Sequence, residues 1–351
     1  MKHWRIGILA AAWLMSLTGC AVNPVTGKQE LALVSEDQEI EIGREQYAPS
    51  RQAEGGDYQV DPGLTRYVNE VGQRLAAVSD RKLPYEFTVL NNSEPNAWAL
   101  PGGKIAVNRG LLTELNNEAE LAAVLGHEIV HAAARHGAQG MERGILLQGA
   151  VLAAGVAVAA SDDYSDYADL AVGVASVGAG LINQRYSREA ELESDLYGME
   201  YMARAGYDPM AAVSLQETFV RLAEGRQENW LEGLFASHPP SRERVERNRE
   251  TAKRLRGKGA VNLGEEPYRR AVAHLLQTKE AYAAYDQGQE ALAKGDAAKA
   301  LRLADQAIQG EPREALFYGL RGDVLTKQGR YSQALSEYDR ALSRDGGFFN
   351  H

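Results

Sequence analysis

The chain has 351 residues, 44% hydrophobic and 25% charged, an ordinary globular mixture too long for one small core, so two domains are expected. A net charge of −10 argues against nucleic acid as a partner. The single cysteine, Cys20, excludes an intramolecular disulfide and leaves any metal further along the chain to histidine and carboxylate.

Met1–Arg5 is basic and Ile6–Leu17 is mostly apolar. That run is a signal-peptide core, shorter than the roughly 20 residues that span a bilayer. It ends in Leu17-Thr18-Gly19-Cys20, which resembles the bacterial lipobox. Cleavage would then remove residues 1–19 and leave Cys20 as the lipid attachment point. The alternative is an ordinary secretory signal with an incidental cysteine. Ala21 and Val22 follow with no Asp, which by resemblance to bacterial lipoproteins points to the outer membrane.

Asn23-Pro24-Val25-Thr26-Gly27 reads as a turn-rich tether. Ser35–Tyr47 is acidic and reads as a helix, with Ser35 as N-cap and Gln38 as its capping-box partner. Leu64, Tyr67, Val68, Val71 and Leu75 recur at helical spacing and predict a second helix over 64–78. Neither offers chemistry, and both are expected to support the core. Tyr85–Leu90 alternates as a strand. Asn96–Leu100, the turn Pro101-Gly102-Gly103 and Lys104–Asn108 read as a hairpin. Such an edge either binds an extended peptide by strand addition or only packs the core, and the pattern does not separate the two.

The run from Glu118 to Ala134 is rich in Ala and Leu, lacks Pro, and is capped by Asn117 with Glu120 as capping-box partner. It carries His127-Glu128-Ile129-Val130-His131, the HExxH pattern. Histidines four apart share one helical face, so both rings can reach one metal ion. Glu128 lies about 100° round the helix, placed to hold a water without being a ligand. The pattern serves one reaction type, addition of water to an amide carbonyl with zinc as Lewis acid and a carboxylate as base. The bland alternative is two ordinary histidines on a buried helix face.

A catalytic zinc keeps three protein ligands and one open position. The continuation xxGxxH is absent: Ala134 and Gly137 stand at its Gly and His places. His136 is out of register and is expected on the surface or behind a ligand. Downstream, Glu191 and Asp195 are one helical turn apart within Tyr186–Asp195. One can bind zinc while the other holds a ligand histidine by its free N–H. Four acids in seven residues also suit a solvated helix face.

Four stretches then fall in order: Asn96-Ala-Trp-Ala-Leu-Pro-Gly-Gly-Lys-Ile, His127–His131, Ser187-Arg-Glu-Ala-Glu-Leu-Glu-Ser-Asp195, and Ser237-His238-Pro239-Pro240. Together they resemble the motifs of peptidase family M48, the family of heat-shock protease X and the CaaX prenyl proteases, over roughly residues 23–256. The Asn23–Gly27 segment is similar to that of its bacterial lipoprotein members. The resemblance implies that His127, His131 and Glu191 bind zinc, that Glu128 is the general base, and that Asp195 stands behind a ligand. It makes Glu189 and Glu193 the wrong acids. It also places His238 near the metal, in a loop where two prolines forbid a continuing helix. His238 is then an ordinary loop residue, a donor to the oxyanion formed during attack, or a fourth ligand that holds the enzyme latent. The need to restrain a protein-degrading site favours the last.

Ile145–Ala160 and Leu170–Ile182 are apolar runs separated by a polar break, each under the roughly 20 residues of a spanning helix. Membrane members of the family have transmembrane helices near here, so this chain is expected to differ as a soluble, lipid-anchored protein. Lacking a basic flank or aromatic belt, the runs are expected to be buried or lid helices rather than a membrane-touching hairpin. Arg254–Pro267 reads as a linker. Beyond it Gly288, Gly295, Ala300 and Ala307 recur 34 residues later as Gly322, Gly329, Ala334 and Ala341, the tetratricopeptide period. Tyr268–Tyr285 is expected as an extra helix in front, and His274 as an ordinary helix residue. With two units, the array is expected either to pack on the first domain or to be part of a longer one.

The expected fold is mainly α: a signal peptide over 1–19, a helical zinc metallopeptidase domain with a small β-hairpin or sheet over 20–256, then a linker and tetratricopeptide domain over 257–351. The expected function is a periplasmic zinc endopeptidase anchored by Cys20 to the outer membrane. The resemblance suggests misfolded or stalled envelope proteins as substrates and outer-membrane assembly machinery as a partner of the repeats. The rival is a scaffold or chaperone for outer-membrane assembly with a largely latent site.

Overall fold

The computed structural model describes residues 20–159, 186–225, 237–256 and 262–347, mainly as helix. The expected signal peptide (1–19), the polar break and second apolar run (161–182), the middle of the expected linker (257–261) and residues 348–351 lie outside the described residues.

Strands β1 (Cys20–Val22) and β2 (Gln29–Leu31) form a small antiparallel ladder with Cys20 opposite Leu31. The turn between them is not the free tether that its composition suggests. Asn23 Oδ1 accepts the N–H groups of Val25 and Thr26, an Asx-type turn, while its Nδ2 donates to Ala134 O at 2.9 Å. One side chain thus closes the turn and fastens it just past the end of the HExxH helix.

Helix α1 (Glu36–Ala53) has the full Ser35–Gln38 capping box. It runs beyond Tyr47 and through Pro49, because its buried stripe continues through Gly43, Tyr47 and Ser50. Helix α2 (Pro62–Ala76) starts two residues earlier than expected, with Asp61 as cap and Pro62 in its first turn. Its Leu64, Val68, Val71 and Leu75 enter the core.

Strand β4 (Ala97–Leu100) and strand β5 (Lys104–Asn108) form the expected hairpin, and β3 (Glu86–Leu90) pairs with β5 in parallel. The order β3-β5-β4 leaves β4 at an edge. At the turn, Gly102 has φ +78, and a Cβ there would lie 2.6 Å from Ile40 Cα, so only glycine fits.

After α3 (Arg109–Leu112) comes α4 (Glu118–Ala133), every residue of which is buried. A helix apolar all round belongs in a core. Asn117 caps it by accepting from Glu120 N. The return bond of the expected capping box forms one residue early: Glu120 accepts from Asn116 N, and Ser214 Oγ also holds it. Arg135, at φ +63, turns the chain into α5 (His136–Ala159) and is fixed there by Glu39, Val34 O and Glu142. The first apolar run was expected as a buried or lid helix, and the side chains described at its start, on α5, are exposed. Ile145, Leu146 and Leu147 are 53%, 51% and 66% exposed. No helix among the described residues is long and apolar enough to cross a membrane.

Helices α6 (Arg188–Arg204), α7 (Met210–Gly225) and α8 (Arg242–Leu255) complete the first domain. Residues 262–264 do not behave as a loose linker: Leu263 O accepts from Ala119 N, and Asn262 O from Asp208 N. The expected front helix is broken at Val272 and Thr278 into α9 (Glu265–Ala271) and α10 (Ala273–Gln277). Its last part opens α11 (Lys279–Ala293), the first helix of the first repeat. Pro267 sits in the first turn of α9, where its missing N–H costs nothing.

Two antiparallel pairs follow, α11 with α12 (Ala297–Gly310) and α13 (Ala315–Lys327) with α14 (Tyr331–Leu342). Gly288 and Gly322 mark close helix crossings: a Cβ would meet Leu320 at 2.8 Å and Tyr338 at 2.5 Å. The array packs on the first domain. Arg109 lies 3.5 Å over the Tyr282 ring, Asn91 donates to Glu314 at 3.0 Å, and one apolar core runs through both parts.

Candidate metal centre

Helix α4 brings His127 and His131 to one face, with their Nε2 atoms 3.0 Å apart. Two imidazole nitrogens at that distance need a proton or a cation between them. Helix α6 crosses α4 at two glycines: a Cβ on Gly126 would lie 3.0 Å from Gly198 O, and one on Gly198 would lie 3.0 Å from His127 N. Only this close approach lets the short Glu191 and Asp195 side chains reach across. Glu191 Oε1 stands 3.4 Å from His131 Nε2, and Glu191 Oε2 stands 3.5 Å from His127 Nε2.

His238, between α7 and α8, is buried and closes the group. Its Nδ1 lies 3.3 Å from His127 Nε2 and 3.0 Å from Glu191 Oε1. One ligand atom from each of His127, His131, Glu191 and His238 falls within a 4.8 Å span. Ligands about 2.0–2.1 Å from a tetrahedral zinc sit about 3.3 Å from one another. The close pairs, at 3.0–3.5 Å, fit that figure, the set as a whole reaches 4.8 Å, and the three-nitrogen, one-carboxylate donor set suits zinc. His238 is therefore no exposed loop residue.

Each α4 histidine is held from behind. His127 Nδ1 meets Asp195 Oδ1 at 3.0 Å, which leaves Nε2 facing the centre. His131 Nδ1 meets His136 Nδ1 at 3.0 Å, and the Tyr186 ring stacks on His131 at 3.9 Å between centroids. His136 is thus buried behind a candidate ligand, not on the surface, because the tight turn at Arg135 folds α5 back against α4. Glu189 is exposed, and Glu193 faces His136 and Lys28 rather than the centre. His274 lies far along the chain on α10, just before the repeats, and meets Glu311 and Arg313.

Arg244 carries no signal in the sequence beyond a charged helix start, yet it organises the acids. Its Nε and Nη2 each lie 2.7 Å from an Asp195 oxygen, its Nη1 is 2.9 Å from Glu191 Oε2, and Nη1 also donates to Pro239 O. Burial alone would raise the Asp195 pKa, but Arg244 and then His127 outweigh it and hold it at about 2. Burial opposes a charged His127 as well, yet Glu191 and Asp195 carry it up to about 9. Burial, with His127 and His136 adding to it, pushes His131 well below its ordinary value. Glu191 is held well below the usual carboxylate range, burial notwithstanding, by His238 and His127. Glu128 is raised, chiefly by burial, as suits a carboxylate that must accept a proton. Its Oε2 is buried without a hydrogen-bond partner among the described residues, and its Oε1 lies 3.6 Å from His238 Nε2.

A buried HExxH helix, crossed by a second helix bearing acids one turn apart, is the architecture of the HExxH metallopeptidase class. Comparison with known families narrows this. The family model described as Peptidase family M48 matches residues 62–252, and a tetratricopeptide repeat model matches residues 285–347. The chain belongs to Peptidase family M48. It is 33% identical over 198 residues to the putative beta-barrel assembly-enhancing protease of Vibrio cholerae, and 30% identical over 200 residues to the beta-barrel assembly-enhancing protease of Escherichia coli. Those matches take in 55% and 56% of this chain but only 40% of each relative, so the chain spans about two-fifths of their length. The mitochondrial metalloendopeptidase OMA1 of Schizosaccharomyces pombe is 32% identical over 248 residues, 69% of this chain and 70% of that protein.

Proposed function

We propose that the chain is a zinc-dependent endopeptidase of the bacterial periplasm, anchored to the outer membrane through lipidated Cys20, that cleaves misfolded or stalled envelope proteins. The observation that carries the reading is the convergence of His127, His131, Glu191 and His238, with Glu128 buried beside them and its Oε2 unpaired among the described residues. A zinc ion held by His127, His131 and Glu191 supplies Lewis-acid polarisation of the scissile carbonyl. Glu128 takes the proton of the attacking water and returns it to the leaving amine. Asp195 fixes the His127 tautomer, Arg244 keeps Asp195 ionised, and His238 and His127 keep Glu191 ionised. Edge strand β4, packed beside α4, accepts an extended substrate by strand pairing. His238 would be a fourth ligand to the cation, which would keep the site latent until substrate displaces the 237–240 segment. The repeats supply the surface for a partner protein, and the names of the two bacterial relatives point to the machinery that assembles outer-membrane barrels. The scaffold reading shares all of this except turnover.

Glu128→Gln separates the two. It keeps size and polarity but cannot take a proton, so zinc should stay near one per chain while cleavage of an unfolded protein falls by orders of magnitude. Equal turnover in that variant removes Glu128 from the mechanism, and no zinc-dependent turnover in the native chain leaves the scaffold reading.

A further inference from the structure

A cavity of about 40 Å³ opens directly off the candidate centre, bounded at one end by His127, Glu128 and His238. Away from the centre its walls are mostly apolar, among them Val124, Met199, Met202, Leu215 and Phe219, with Ser194 and Asn248 as polar members. Gln216 interrupts them. It is 6% exposed, it lines the cavity, and its Oε1 is buried without a hydrogen-bond partner among the described residues. The charged groups on the same wall are already committed, Arg244 to Asp195 and Asp195 to His127. Among the described residues, then, no group of the chain pairs with this amide oxygen at the cavity wall.

We infer that this cavity receives the substrate side chain next to the scissile bond, and that Gln216 selects a side chain carrying a hydrogen-bond donor, such as threonine, over an apolar side chain of the same shape. The inference rests on the endopeptidase reading and deepens it. The pocket is partly open, so its chemistry and not its size sets the discrimination. Threonine and valine have nearly the same shape, and valine's methyl suits the Met199 and Phe219 walls. Valine leaves the Gln216 oxygen buried and unpaired, whereas the threonine hydroxyl donates to it. Sites that hydrogen-bond a substrate hydroxyl reject the analogue that lacks it, because the buried partner is then left unpaired. Gln216 lies on α7, opposite the HExxH helix, so it acts on binding and not on the proton transfers at Glu128.

The test uses two peptides identical except for Thr or Val beside the cleaved bond. Their affinities are measured on the zinc-loaded full chain bearing Glu128→Gln, and their kcat/KM on the chain with Glu128 intact. The inference expects the threonine peptide to be favoured at least tenfold in both, with Gln216→Leu abolishing or reversing the preference and leaving zinc content unchanged. Gln216→Glu, which keeps an acceptor and its reach, should retain it. Equal handling of the two peptides, or a preference that survives Gln216→Leu, overturns the assignment. If the chain cleaves neither peptide but the Glu128→Gln form still discriminates in binding, the peptidase reading fails while the pocket assignment stands. If Gln216→Leu fails to fold, Gln216→Met takes its place, with the same loss of preference required.

Discussion

Arg244→Met should be the most costly single change at the candidate centre that touches neither a proposed ligand nor the proposed base. The methionine fills most of the same volume but leaves two carboxylates without their counter-charge. Asp195 loses both arms of a bidentate pair at 2.7 Å, and Glu191 loses its neighbour at 2.9 Å. A first scale comes from Asp195, held at about 2 against an ordinary 3.8 by Arg244 together with His127. At 1.36 kcal/mol per pKa unit that is about 2 kcal/mol. Removing one partner of a buried ion pair typically costs about 3–5 kcal/mol, and Arg244 serves two acids as well as Pro239 O. For a chain of this size the zinc-free protein should then melt on the order of 10 °C lower at pH 7. The sign of the pH dependence is fixed. Asp195 has a depressed folded pKa, so its contribution is fully present above about 4 and is lost as pH falls toward 2. The gap between wild type and variant should therefore narrow on acidification. Thermal melts of the zinc-free proteins between pH 7 and pH 3, with the double variant Arg244→Met/Asp195→Asn, provide the assay. The double variant should recover part of the loss, since an amide needs no counter-charge. Equal melting temperatures at pH 7, or a double variant as unstable as the two single losses added together, refutes the coupling.

Metal analysis of three alanine variants checks the acid assignment: Glu191→Ala should lose zinc, whereas Glu189→Ala and Glu193→Ala should keep it, and the reverse order puts the α6 register at fault. His238→Ala should retain zinc and raise basal cleavage of an unfolded protein severalfold. A large fall in turnover with zinc retained assigns His238 to the oxyanion instead, at a cost of about 2.7–4 kcal/mol in the barrier. Cys20→Ser should move the protein from the membrane to the soluble fraction or block its processing, and unchanged membrane association would turn attention to the exposed Ile145–Leu147 face.

Much of the centre was legible because it is written at helical spacing. His127 and His131 sit four apart, as do Glu191 and Asp195, and a helix converts that spacing into a shared face whatever the rest of the chain does. The repeats were legible for the same reason, a fixed period in which Gly288 and Gly322 recur at helix crossings. The hairpin 97–108 was readable from its Pro-Gly-Gly turn. Its parallel partner was not, because pairing β3 with β5 depends on a connection that leaves no local pattern.

What escaped depends on contacts between distant segments. Arg244 reads as one charge in a polar helix start, and its meaning comes from Asp195, 49 positions earlier. Glu39 reads as a solvated acid in an acidic helix, yet it is buried and takes Arg81 at 2.9 Å and Arg135 at 2.6 Å. Arg81 also bonds the backbone at the end of α4, at Ala132 O, and Arg135 bonds the backbone just before α1, at Val34 O. Breaking one partner of such a buried set strands the others, so the set holds α1, the segment before it and the C-terminal end of the HExxH helix in one geometry. His136 owes its place behind His131 to this device: the left-handed turn at Arg135 is unfavourable for a side-chain-bearing residue and is held there by the Glu39 and Glu142 pairs. The first helix was expected only to support the core. In the structure it positions the residue behind a candidate ligand, through charges whose partners lie 42 and 96 positions away.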